Sequence, residues 1–382
     1  MRIALVTETY APDLNGVART LVALVRELRG LGHRVDLVRP EPKGPSSPLE
    51  EGELRVRGVP VPGYASIQFG LPAGNRLRAH WASQRPDVVH IDTEGPLGYS
   101  ALRAARALGI PVTSSLHTHF HVYARHYGLP WLSRPVLAYL RHFHNATAFT
   151  LIPTEDQREQ CAAEGFERLR VLGRGVDAAL FHPARRDPAL RERWGAGPDT
   201  PVALYVGRLA AEKNLDLFVR AIRAMRERRP ELRAVMVGDG PLAAGLRQSH
   251  PDIHFAGPQV GEALAAHYAS ADLFVFPSLS ETFGNVLLEA MASGLAVLAF
   301  DYAAARLLID DDRTGLVAPM GDEAAFLRQA VRLVEDAGLA ARMRPAARER
   351  AEQQSWTAIA RQLESMWLEV IDTATTSPRR VA

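Results

Sequence analysis

Cysteine is nearly absent: of 382 residues, only Cys161 carries a thiol. One thiol can form no intramolecular disulfide framework and no cysteine-built zinc site, and it fits a reducing compartment. Lysine is almost as scarce. Lys43 and Lys213 are the only lysines among 45 basic residues, a bias that reads as genome composition and makes each of the two worth noticing. An excess of one charge is missing as well. The 45 basic and 43 acidic residues leave a formal charge of +2, which argues against wholesale nucleic-acid binding. No uninterrupted apolar run approaches the ~18–20 residues of a membrane-spanning helix. The opening Met1-Arg2-Ile3-Ala4-Leu5-Val6 turns polar at Thr7-Glu8-Thr9, which lacks the apolar core of a signal peptide. The dinucleotide fingerprint G-x-G-x-x-G and the phosphate loop G-x-x-x-x-G-K-[ST] are absent too. What is present, 47% hydrophobic and 23% charged residues, is the balance of a water-soluble globular chain. At roughly 100–200 residues per domain the length predicts two domains of a cytoplasmic, enzyme-sized protein.

Short β-branched runs alternate with amphipathic helical patterns. Arg2–Thr7, Arg34–Arg39, Val88–Ile91 and Val112–Leu116 read as strands, and Gly16–Leu31 repeats Val17, Leu21, Leu24, Val25 and Leu28 at helical spacing. The alternation restarts at Val202–Val206, Ala234–Val237, Ile253–Phe255, Leu273–Phe276 and Ala296–Ala299. Strand, helix, strand in this order predicts an α/β protein with parallel sheets covered on both faces. The expected division is an N-terminal Rossmann-like domain over residues 1–180, a linker over 177–200, and a second Rossmann-like domain over 198–355. Pro183, Pro188, Gly195, Gly197 and Pro198 suggest the linker. After Pro345 the pattern is helical to about Ile371, with Trp356, Ile359, Leu363, Trp367 and Val370 on one stripe that could pack back across the boundary. Thr373–Ala382 reads as disordered.

Parallel sheets place ligands beyond the carboxyl ends of their strands. Four segments lie there. Gly16, within Asp13-Leu14-Asn15-Gly16-Val17, opens the first helix and would let backbone N–H groups approach an anion or sugar; a plain tight turn is the alternative. Gly207-Arg208-Leu209 with Glu212-Lys213-Asn214 puts two cations five residues apart where a strand gives way to a helix, fit for a diphosphate or simply a solvated helix start. Val237-Gly238-Asp239-Gly240-Pro241 is a glycine turn at a strand end. Pro277–Met291 is the strongest. Glu281 lies in the loop after Leu273–Phe276, Gly284 opens a helix, and Glu289 sits about one and a half turns in. Two carboxylates so placed can accept hydrogen bonds from sugar hydroxyls, and the N–H groups of Phe283–Val286 can face a phosphate. Solvent-exposed glutamates on a capped helix are the plainer reading.

His117-Thr118-His119-Phe120-His121 invites a metal reading, because alternate residues of a strand share a face. No carboxylate cluster accompanies these histidines, and no metal site is expected. His117 reads as a residue directed at a sugar, with structural roles for His119 and His121. Leu54–Thr150 holds ten arginines and eight of the thirteen histidines against Asp87, Asp92 and Glu94. Within it, Arg125–His144 mixes basic and aromatic residues in the manner of an interfacial surface for anionic lipid, or of a helix with one core face.

Taken together, Asn15-Gly16-Val17, His117-Thr118-His119, Arg174-Gly175-Val176-Asp177 with Phe181 and Pro183, Gly207-Arg208 with Lys213, Gly238-Asp239-Gly240-Pro241 and Glu281 through Glu289 resemble the retaining glycosyltransferases of family 4. The resemblance runs from Met1 to about Ile371 and is nearest to GDP-mannose-dependent α-mannosyltransferases and sulfoquinovosyl-diacylglycerol synthases. It implies a GT-B fold: two doubly wound Rossmann-like domains facing a cleft, the first for the acceptor and the second for the nucleotide sugar, with a C-terminal helix crossing back. It implies that Arg208 and Lys213 hold the donor diphosphate, Glu289 the ribose, Glu281 the sugar hydroxyls, and that His117 lies by the transferred sugar. Arg208, Lys213, His117 and Glu281 are then the catalytic set. Gly16, Gly207, Gly238, Phe283, Gly284, Asn285, Val286, Leu287 and Glu289 bind the donor. Arg174 departs from the asparagine common before Gly-Val-Asp.

The expected function is retaining transfer of a hexose, foremost mannose from GDP-mannose, to a glycolipid or glycan. The expected partners are a nucleotide-sugar donor, a lipid or glycan acceptor and a peripheral inner-membrane surface, with no nucleic acid, cofactor or metal. The alternatives are a UDP-sugar-dependent glucosyl or sulfoquinovosyl transferase to diacylglycerol, a nucleotide-sugar epimerase, and a non-catalytic nucleotide-sugar-binding protein.

Overall fold

The computed structural model describes residues 1–13, 16–42, 49, 52–61, 64–117 and 133–376. They form two compact units: Met1–Gly173 with the described part of Trp356–Ala382, and Arg174–Ser355.

The first unit is built on a seven-stranded parallel sheet. Its strands are β1 (Arg2–Val6), β2 (Arg34–Pro40), β3 (Glu53–Val56), β6 (Val88–Ile91), β7 (Val112–Ser115), β8 (Thr150–Ile152) and β9 (Leu169–Val171), in the order β3-β2-β1-β6-β7-β8-β9. A separate antiparallel hairpin pairs β4 (Gly58–Val61) with β5 (Tyr64–Gly70). The helices are α1 (Gly16–Gly30), α2 (Gly74–Ser83), α3 (Pro96–Ala107), α4 (Ser133–Asn145) and α5 (Glu155–Ala163). Period-two alternation on the central strand β1 explains the layering. Ile3 and Leu5 pack with Leu21, Leu24 and Leu28 of α1, while Ala4 and Val6 pack with Leu77, Trp81, Leu97 and Ala101 of α2 and α3. Chain order reverses between β1 and β6, the switch point beyond which an open α/β sheet receives ligands.

The C-terminal helix (Trp356–Thr376) completes the first face. Its Ile359, Ala360, Leu363 and Trp367 are buried in the cluster that holds Ile3 and Leu21, as the helical stripe predicts. Thr357 Oγ1 donates to Glu27 Oε2 at 2.7 Å, tying this helix to α1. The helix runs past Ile371 to Thr376, so Thr373–Thr376, expected to be disordered, are helical.

The second unit carries a six-stranded parallel sheet in the order β12-β11-β10-β13-β14-β15. These are β10 (Val202–Val206), β11 (Arg233–Val237), β12 (His254–Gly257), β13 (Leu273–Phe276), β14 (Ala296–Phe300) and β15 (Leu316–Ala318). Its helices are α6 (Pro188–Arg193), α7 (Leu215–Arg226), α8 (Ala243–Ser249), α9 (Gly261–Ser270), α10 (Asn285–Ala292), α11 (Ala304–Leu308), α12 (Glu323–Glu335) and α13 (Ala337–Glu352). β10, β13 and β14 are wholly buried, which is why each reads as a continuous apolar run. Pro345 lies inside α13 and does not start a helix.

The domain bounds are corrected as well, since the first unit ends at Gly173 and not at residue 180. Residues 177–200 are not a linker but part of the second unit: Phe181, Leu190, Trp194 and Ala196 belong to its core. Arg191 is buried, donates to the carbonyls of Ser270, Gly197 and Thr200 at 2.8, 2.7 and 2.6 Å, and pairs with Asp272 at 3.1 Å. The prolines that suggested interruption start helical turns, Pro183 behind a His182 cap and Pro188 behind an Asp187 cap.

Candidate active site

In the second unit the site begins where β10 and β11 end side by side. Gly207 N–H donates to Val237 O at 3.0 Å, and a Cβ on Gly238 would stand 1.9 Å from Gly207 O. Gly238 also has φ +138°, so both sterics and backbone conformation require glycine there. Tyr205 Oη donates to Arg208 O at 3.1 Å and steadies the turn that follows. Burial, with Glu281 and Glu212 nearby, pushes the Tyr205 hydroxyl far above its ordinary range, so it stays a donor. Arg208 is largely exposed and lies 3.7 Å from Glu212. Lys213 ends a 3-10 turn, and the left-handed Asn214 behind it turns the chain into α7.

The loop after β13 meets this turn. Lys213 Nζ donates to Glu281 Oε1 at 2.5 Å and to Ser280 O at 2.9 Å. Ser278 Oγ donates to the same Glu281 oxygen at 2.7 Å, and Tyr302 Oη donates to Glu281 O at 2.9 Å. Glu281 is thus held at both carboxylate and backbone. Gly284, at φ +99°, precedes α10, whose first residues are Asn285 and Val286. The side chains of Phe283 and Leu287 are buried, so these two residues have only backbone groups to offer a ligand. Ser278, Glu281, Phe283, Gly284, Leu287 and Tyr302 line a small hollow open to solvent. On α10, Glu289 Oε2 accepts a 2.9 Å hydrogen bond from Tyr268, whose hydroxyl burial and Glu289 keep protonated.

In the first unit, the ends of β1, β6 and β7 gather Glu8, Asp92, Glu94 and His117. His117 Nε2 lies 2.8 Å from Asp92 Oδ1. Glu8 Oε1 accepts the Leu97 N–H at 3.1 Å, so Glu8 meets the start of α3. Burial pushes the Glu8 carboxyl up to about 7, against the opposing pull of the Leu97 hydrogen bond. Burial, aided by Glu8 and Asp92, pushes Glu94 up to about 8. Gly16 is the first residue of α1, and a Cβ there would meet nothing within 4 Å.

The structure therefore joins Lys213 to Glu281 and Gly207 to Gly238, while Arg208 faces Glu212. Asp92, Ser278, Tyr268 and Tyr302 contact the candidate residues His117, Glu281 and Glu289, and sequence reading missed them. Asp92 follows a strand directly, the one signal that could have marked it. Asn15, His119 and His121 lie outside the described residues, as does the stretch 118–132 with Tyr127 and Trp131 of the basic segment. Among the described residues, no group of three or more histidine, cysteine or acidic side chains is arranged to hold a metal ion. No described helix is long and apolar enough to cross a membrane.

The family described as Glycosyltransferase Family 4 matches residues 14–180, and Glycosyl transferases group 1 matches residues 200–336. A GDP-mannose-dependent alpha-mannosyltransferase of Mycobacterium tuberculosis is 38% identical over 329 residues, 84% of this chain and 85% of that protein. The chain belongs to glycosyltransferase family 4. A second member, the sulfoquinovosyl transferase SQD2 of Arabidopsis thaliana, is 32% identical over 94% of this chain and 71% of its own. The crystal structure of Anabaena HepE in complex with UDP shares the fold at a TM-score of 0.75, with 18% identity, covering 97% of this chain and 100% of that one. The two parallel-sheet Rossmann-like units are those of a GT-B glycosyltransferase, and the protein is a glycosyltransferase of this family.

Proposed function

We propose that this glycosyltransferase transfers mannose from GDP-mannose to a glycolipid or glycan acceptor, with retention of configuration and without a metal ion. The first unit takes the acceptor and the second the nucleotide sugar. The observation that carries the reading is the Lys213–Glu281 pair beside the glycine-led start of α10. An ammonium has three N–H donors; Glu281 and Ser280 use two, and the third is available to a diphosphate.

In the proposed reaction the anomeric carbon–oxygen bond to phosphate breaks, and its electron pair leaves with the nucleoside diphosphate. Lys213, Arg208 and the N–H groups at the start of α10 oppose that growing charge, which removes the need for a cation from solution. The acceptor hydroxyl adds to the same face of the sugar, and its proton passes to the departing phosphate oxygen. Glu281 orients the sugar hydroxyls, Glu289 the ribose, and His117 lies by the transferred sugar. Asn285 and Val286 add backbone donors. The 38% identity to a mannosyltransferase favours GDP-mannose.

Resemblance to SQD2 favours a second reading, a uridine-diphosphate sugar transferred to diacylglycerol. Peripheral attachment at the inner membrane is part of the proposal. Its support is α4, which buries Leu140 and Phe143 on one side and exposes Arg134 and Arg141 on another. The test is incubation of the protein with GDP-mannose or UDP-glucose and a lipid extract, with and without EDTA, followed by NMR of the product. An α-mannoside formed equally well in EDTA supports the proposal. A β-linked product, loss of activity in EDTA, or turnover of the uridine sugar alone overturns the corresponding part.

A further inference from the structure

Asp92 follows β6 and is fixed before any ligand arrives. Its N–H donates to Val6 O at 2.8 Å, and the residue is 2% exposed. Its Oδ1 lies 2.8 Å from His117 Nε2 and 3.8 Å from His90 Nε2. Among the described residues Oδ2 is buried with no hydrogen-bond partner. A buried carboxylate tolerates this only if its remaining partner is strong, because an uncompensated charge inside a protein is costly.

Behind Asp92 runs a buried polar chain. Trp367 Nε1 donates to Thr113 Oγ1 at 3.0 Å, and that hydroxyl lies 2.9 Å from His90 Nδ1. His90 Nε2 in turn lies 2.9 Å from Ser115 Oγ. Trp367, Thr113 and His90 are each at most 1% exposed, so the C-terminal helix and β7 hold the ring of His90, and His90 flanks Asp92.

We infer that Asp92 is a positioning residue for His117, holding the imidazole by its Nε2–H and thereby fixing the tautomer and orientation of the ring. The inference rests on the placement of His117 beside the transferred hexose proposed above. Burial alone would raise the Asp92 carboxyl, but His117 and His90 outweigh it and hold the group well below the usual carboxylate range. An ionised carboxylate only accepts hydrogen bonds, so Nε2 of His117 must carry a proton. In the neutral ring Nδ1 is then the acceptor, whereas the opposite tautomer carries an N–H there. The titratable groups about the pair fit one charge at this spot. Glu8 and Glu94 are raised to about 7 and about 8, and burial, with His117 close by, lowers His144 to about 3.

The test uses the full chain labelled with 15N-histidine, with Asp92→Asn, Asp92→Ala and His117→Ala variants. Asparagine keeps the side-chain shape, which guards against a variant that fails to fold. Long-range proton–nitrogen spectra report the His117 tautomer, and release of GDP from GDP-mannose reports turnover. The expected wild-type signal is the Nε2–H form. Both Asp92 variants should lose that preference and lower kcat by about a hundredfold, the scale of a small misplacement of a reacting group, with a smaller change in KM for GDP-mannose. An Nδ1–H ring in the wild type, or folded Asp92 variants with unchanged spectra and turnover, would overturn the proposal alone. Wild-type turnover in His117→Ala would overturn it together with the reading on which it rests.

Discussion

Lys213 Nζ and Glu281 Oε1 stand 2.5 Å apart, each side chain 16% exposed, joining the turn after β10 to the loop after β13. Half-buried ion pairs of this kind act as a unit, because removing one partner leaves the other charge poorly solvated. Lys213→Ala and Glu281→Ala should each cut turnover strongly. The double variant should lose far less than the sum, with a coupling of about 0.5–3 kcal/mol. Steady-state kinetics on the four proteins measures this directly. Strictly additive losses would show that the two residues work separately.

Arg208 is a different case. Its side chain is 65% exposed and its contact with Glu212 is long, so the fold owes it little. Arg208→Ala should leave Tm unchanged and lower kcat by about 10²–10³, the cost of removing one group that opposes developing charge. Calorimetry and kinetics on the same preparation separate the two effects. A fall in Tm with normal turnover would contradict the assignment.

Stability should fall with pH through the neutral range. Glu8 and Glu94 bind their protons more tightly folded than unfolded, with pKa values raised to about 7 and about 8 from an ordinary 4.5. Their contribution is full below about 4.5 and is lost as pH rises through 7 and 8. His144 has the opposite sign. Lowered to about 3 from 6.5, it contributes fully above 6.5 and loses that contribution as pH falls. Between pH 6.5 and 8 the carboxyls dominate, so Tm should decline across that window. Glu94→Gln should flatten the decline, and scanning calorimetry at stepped pH would show it.

The C-terminal helix should be essential to the first unit. Trp367 is fully buried against β1 and α1 and donates to Thr113. Trp367→Ala should cost about 3–5 kcal/mol, the usual range for a buried tryptophan. Chemical denaturation followed by circular dichroism gives the number. A loss below about 1 kcal/mol, the range of surface substitutions, would mean that the helix packs loosely.

Sequence reading reached the central strands because they are buried on both faces and therefore continuously apolar. It missed β3, where Glu53 interrupts the pattern. That carboxylate is buried with Arg39 2.6 Å away and Arg55 2.9 Å away, a compensation visible only in the fold. It misread residues 177–200, since Pro183 and Pro188 look like breaks until their caps are seen. The strand–loop–helix from Leu273 to Glu289 was legible because its two glutamates and Gly284 sit at fixed offsets within one local unit. Asp92 was not. It lies 25 residues before His117, and only the parallel pairing of β6 with β7 brings the two together. Tyr302 and Tyr268 were hidden for the same reason, each reaching a glutamate 21 residues before or after it.

The most direct test of the account is nucleotide release measured with GDP-mannose and with UDP-glucose, for wild type and Lys213→Ala, in the presence of membrane lipids and EDTA. The account predicts GDP release from GDP-mannose by the wild type, unaffected by EDTA and nearly abolished in the variant. UDP release alone, or equal rates from wild type and variant, would contradict it.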